Sequence, residues 1–116
     1  MAAKAIIPRN LALRDIEDAV DYYAREVGPH VALGYVDDLQ SAYQLIARHP
    51  ASGSLRFGYE IGLPGLRTVQ LNRYPYLIFY FEQTDHIDVW RVLHAKMDIP
   101  VWLQSELLTA HSIASA

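Results

Sequence analysis

Cysteine is absent from the 116 residues, which excludes a disulfide framework, a thiolate metal site and a cysteine nucleophile. Stability must come from packing alone. A long apolar run is absent as well: no segment approaches the roughly 20 residues that span a bilayer, and the apolar patch at the N-terminus ends at Pro8, short of a signal-peptide core. There is also no basic excess. Ten Lys and Arg stand against 13 Asp and Glu, for a net charge of −3, whereas proteins that grip RNA usually carry a clear positive surplus, because phosphate contacts dominate their affinity. These absences predict a soluble cytoplasmic protein without a membrane partner.

What is present is apolar: 52% of the chain. That suits one domain over residues 1–116, burying roughly two thirds of the surface its unfolded chain exposes. Residues 3–8 read as a short edge strand, since proline is tolerated at a strand end. Asn10 offers a helix N-cap, and Leu13, Ile16, Val20, Tyr23 and Val27 step by three and four, predicting a helix with one apolar stripe. Gly28-Pro29 stops it. A second stripe through Tyr35, Leu39, Ala42 and Ile46 runs to His49-Pro50, giving a helical hairpin. Four of the six glycines then fall in residues 51–65, a long and weakly patterned connection.

Three short strands follow. Thr68-Val69-Gln70-Leu71 alternates polar and apolar, as a strand with one wet face does, whereas residues 77–81 are apolar throughout, as a strand covered on both faces is. The third strand runs through Ile87-Asp88-Val89-Trp90-Arg91-Val92-Leu93-His94. Residues 72–75 and 83–86 are connections of hairpin length, so the strands form an antiparallel meander. The expected fold class is α+β, an N-terminal helical hairpin packed on a small antiparallel sheet. Beyond Asp98, Pro100 can open a further helix with Trp102, Leu103, Leu107 and Leu108 along one face, and residues 109–116 lack periodicity and are expected to fray.

The sheet segment also carries a resemblance. Leu63-Pro64-Gly65-Leu66-Arg67, Tyr74-Pro75-Tyr76 with Ile78-Phe79-Tyr80, and Val92-Leu93-His94 with Met97-Asp98-Ile99 resemble the ParE branch of the ParE/RelE toxin superfamily. Ala12, Asp15 and Ile16 with Tyr22-Tyr23 look like that family's first helix, and Leu45-Ile46-Ala47 with His49-Pro50 and Gly53 like the end of its second. The likeness extends over roughly residues 6–103. It implies a toxin of a bacterial toxin–antitoxin pair, folded as two helices on an antiparallel sheet, without a cofactor and neutralised by a cognate antitoxin in a hetero-oligomer, or existing as a homodimer.

Two mechanisms are open within that superfamily. RelE-like members cut messenger RNA on the ribosome with arginine and lysine side chains and a tyrosine or similar group. ParE-like members are associated with blocking DNA gyrase, a protein target. Here Arg67 and Arg91 stand where the RNA-cleaving enzymes carry sheet arginines, but no tyrosine stands near Met97 and residues 58–65 hold no lysine. The catalytic pattern is incomplete, so the expectation is gyrase inhibition by binding, with the ribosome-dependent endoribonuclease as the alternative.

Arg67, Arg91 and His94 are the catalytic candidates only under that alternative: arginine forks stabilise phosphorane-like charge, and histidine moves protons near neutral pH. Under the binding reading the same three, with Lys96, meet a partner or pair within the fold, the arginines with Asp98 or Glu82 and His94 as a hydrogen-bonded hinge between strand and tail. Asp15, Glu17, Asp18 and Asp21 read as a solvated acidic face, since carboxylates radiating from one helix do not converge on a metal. Val31, Val36, Tyr43 and Leu55 fall beside the main stripes and are candidates for an apolar antitoxin-binding patch.

Overall fold

In the computed structural model, which describes residues 3–96, two long helices lie over one face of a four-stranded sheet. β1 (Ala5–Pro8) leads into α1 (Asn10–Glu26) and α2 (Pro29–Arg48). A 3₁₀ turn (Pro50–Ser52) and the short α3 (Arg56–Glu60) then precede β2 (Leu66–Gln70), β3 (Tyr76–Glu82) and β4 (His86–His94). The strand order is β1-β4-β3-β2. The last three strands form the expected antiparallel meander, and β1 adds to its edge in parallel, placing Ala5 opposite His86 and Pro8 opposite Val89.

Both faces of the meander are covered, which is why residues 77–81 have no polar break. Tyr76, Ile78 and Tyr80 meet Tyr35, Leu39, Ala42 and Ile46 on the helical side. Leu77 and Phe79 turn the other way and join Leu66, Trp90 and Leu93, against which Phe57, Ile61 and Leu63 pack. The weakly patterned stretch 51–65 is therefore a cover for the second face. Each large side chain buried in these clusters contributes about 1.5–3 kcal/mol of transfer free energy.

The buried side of α1 differs from the expected stripe. Ala12 and Ala19 are buried, Ile16, Val20 and Tyr23 are half-buried, and Leu13 and Val27 are 44% and 56% exposed. Alanine carries little weight in an apolar stripe, yet its small side chain lets the helix approach the sheet, so the alanines choose the face. That rotation brings Asp15 inward. Asn10 is the first residue of α1 rather than its cap; Arg9 holds the cap position, with no side-chain hydrogen bond.

The hairpin turns at Gly28, whose φ of +151° is a conformation side chains disfavour. Asp38 of α2, itself buried, accepts the amides of Arg73 and Tyr74 at 2.8 and 2.9 Å and so fixes the β2–β3 turn against the helices. The Tyr74 hydroxyl adds a hydrogen bond to the Val31 carbonyl at 2.8 Å.

Candidate functional site

β1 accompanies β4 only as far as Val89, and beyond that point α1 takes its place. A register shift opposite Phe79 and Tyr80 adds Trp90 to β4 as an extra residue. The alternation slips with it, so that Ile87, Val89 and Val92 share the helical side while Trp90 and Leu93 share the other. Arg91 stands in that slip, an instance of a bulge re-aiming a side chain.

Its guanidinium grips Asp15 of α1 in a bidentate pair, Nε to Oδ2 at 2.7 Å and Nη2 to Oδ1 at 2.6 Å. Asp15 Oδ2 also accepts the Val92 amide at 3.0 Å. The two side chains are only 6% and 12% exposed. One carboxylate therefore ties the first helix to the last strand and occupies an edge amide that β1 is too short to reach.

Alongside this pair, between α1 and the end of β4, opens a groove of about 340 Å³. α1 lines it with Asp15, Asp18 and Tyr22, β3 with Tyr76, and β4 with residues 91–94. The rings of Tyr76 and His94 meet edge to face with centroids 5.1 Å apart. His94 Nδ1 accepts the Lys96 amide at 3.1 Å, which places the proton of the neutral ring on Nε2. Burial, with Tyr23 beside it, pushes the Tyr76 hydroxyl up to about 12, so it keeps its proton at neutral pH. Among the described residues no three ligating side chains converge to hold a metal ion.

Arg91 and His94 are thus brought to one groove, and Arg67 is not. On β2, with β3 between it and β4, Arg67 donates through Nη1 to the carbonyls of Ala51 and Gly53 at 3.2 and 2.9 Å. Tyr80 braces the same loop: its hydroxyl donates to the Pro50 carbonyl at 2.7 Å and accepts the Gly53 amide at 3.1 Å. A Cβ on Gly53 would stand 2.6 Å from that hydroxyl, so the loop needs glycine here. Glu82, offered above as an arginine partner, pairs with Lys4 at 2.7 Å instead; Asp98 and the helix expected from Pro100 onward lie outside the described residues.

Lys96 is exposed just past β4. Val31, Val36, Tyr43 and Leu55 are half-buried, and Val36 and Tyr43 pack against the helical-side core. Among the described residues, the large apolar side chains that stand furthest into solvent are others, led by Tyr59 at 78% and Leu33 at 66%. Sequence reasoning missed Asp15 and Tyr22 as groove residues. Asp15 belongs to the sheet-facing side of α1 and not to a solvated acidic face, and the spacing of Ala12, Asp15, Ile16 and Ala19 was the signal available for it.

A family model described as ParE toxin of type II toxin-antitoxin system, parDE, matches residues 6–99. Among solved structures, a chain of the chromosomal ParDE TA system from P. aeruginosa is similar in fold, with a TM-score of 0.68 at 21% sequence identity, covering 81% of this chain and 98% of that one. No curated protein sequence matches the chain. Among the described residues no helix is long and apolar enough to cross a membrane.

Proposed function

The chain belongs to the ParE toxin family of type II toxin–antitoxin systems, and on that premise we propose that it arrests growth in the cytoplasm by binding DNA gyrase, and that a cognate antitoxin holds it inactive. The observation that favours binding over RNA cleavage is the bidentate hold of Asp15 on Arg91. A phosphate approaching the groove would meet two carboxylates, Asp15 and Asp18, and an arginine already gripped by one of them. Tyr76 is protonated at neutral pH and so is no base there. Arg67, the other sheet arginine, is engaged with loop carbonyls on a different strand. Charge stabilisation and proton transfer typically contribute about 10²-fold or more each to such chemistry, and this arrangement favours neither.

Expression of the chain alone in a bacterium tests the reading. Growth arrest with filamentation and induction of the DNA-damage response is expected. Rapid loss of translation with cleaved messenger RNA and no damage response would overturn it in favour of the endoribonuclease.

A further inference from the structure

The α1–β4 groove has a chemistry distinct from the ion pair at its base. The Asp18 side chain forms no hydrogen bond or ion pair among the described residues, yet Asp18 lines the groove one turn of α1 from both Asp15 and Tyr22. Tyr22 is 52% exposed, and an edge-to-face contact with Tyr23 at 5.5 Å steadies its ring. Tyr76 and His94, themselves in edge-to-face contact, line the groove from the sheet side. Aromatic rings attract a cation electrostatically, and a neighbouring carboxylate accepts its N–H groups. Of the charged side chains that line the groove, Asp15 and Arg91 are joined to each other, so Asp18 supplies its excess negative charge.

At about 340 Å³ the groove is at the small end of ligand-sized sites, suited to one long side chain and its head group rather than to a folded element. Its charge disfavours phosphate, and its carboxylates do not converge as a metal site requires. We propose that this groove seats an arginine side chain presented by a basic segment of a partner polypeptide, with Asp18 accepting the guanidinium and Tyr22 and Tyr76 flanking it. The inference rests on the reading that the chain works through protein partners.

Two-dimensional NMR of the full chain, titrated with Nα-acetyl-arginine amide and with the neutral isostere Nα-acetyl-citrulline amide, tests it. The arginine derivative is expected to give saturable shifts centred on Asp18, Tyr22, Tyr76 and His94, with the citrulline derivative binding about fivefold more weakly or worse. Asp18→Asn should reduce arginine binding to the citrulline level, and Tyr22→Ala should weaken it independently; both positions are solvent-facing, so the rest of the spectrum should be unchanged. Equal responses to the two derivatives, shifts centred elsewhere, no response, or an Asp18→Asn variant that binds arginine like the parent would each overturn the assignment. A gyrase supercoiling assay on the same sample separates the two ideas: inhibition without an arginine response overturns the groove assignment alone, and an arginine response without inhibition overturns the gyrase reading alone.

Discussion

Asp15 and Arg91, 76 residues apart in the chain, are joined by two hydrogen bonds of 2.7 and 2.6 Å that fasten the first helix to the last strand. Because both side chains are nearly buried, removing either one breaks a charge pair held largely out of water. Asp15→Ala or Arg91→Ala should therefore cost about 3–5 kcal/mol, whereas Asp15→Leu combined with Arg91→Met should cost far less than the sum. Urea denaturation of the three variants checks this. Equal and additive losses would mean that the pair is not energetically coupled.

Leu39 is 4% exposed on the sheet-facing side of α2. Leu39→Ala should cost about 2–5 kcal/mol through lost burial and the cavity left behind, while Asp18→Ala, on the solvent side of α1, should stay within about 0.5 kcal/mol. Thermal melts showing comparable losses would contradict the helix faces described above.

The hydroxyls of Tyr35 and Tyr43 are buried with no hydrogen-bond partner among the described residues. Tyr35→Phe removes an unsatisfied polar group and should raise stability by about 1 kcal/mol. Tyr80→Phe removes a hydroxyl that serves both Gly53 and Pro50 and should lower it by about 1–3 kcal/mol. Opposite signs in one denaturation series are the diagnostic result.

Burial pushes the hydroxyls of Tyr43 and Tyr76 up to about 12, and that of Tyr35 higher still. In the unfolded chain tyrosine releases its proton near pH 10. Between about pH 10 and 12 the folded protein thus holds more protons than the unfolded one, so stability falls as pH rises. The contribution of Tyr43 and Tyr76 is complete below about pH 10 and is lost through about pH 12, while that of Tyr35 persists to higher pH. Denaturation midpoints from pH 9 to 12 should show the decline, and Tyr43→Phe should flatten it.

Much of the fold is legible in the residues themselves. The unbroken apolar run at 77–81 announced a strand covered on both faces, and the spacing of Tyr35, Leu39, Ala42 and Ile46 located the buried side of α2. The site was less legible for a physical reason. Arg91 finds its partner because Trp90 is an extra residue in β4 and because two alanines, not the larger apolar residues, set the face of α1. Neither effect leaves a periodic trace. The placement of Arg67 was hidden similarly, since its partners are backbone carbonyls of a loop that side-chain chemistry does not reveal.

Binding of gyrase by this chain is tested by titrating the purified protein in parallel into a gyrase supercoiling assay and a ribosome-dependent messenger RNA cleavage assay. Supercoiling should be lost in proportion to added protein while the messenger RNA stays intact. Cleaved messenger RNA with supercoiling unaffected would contradict it.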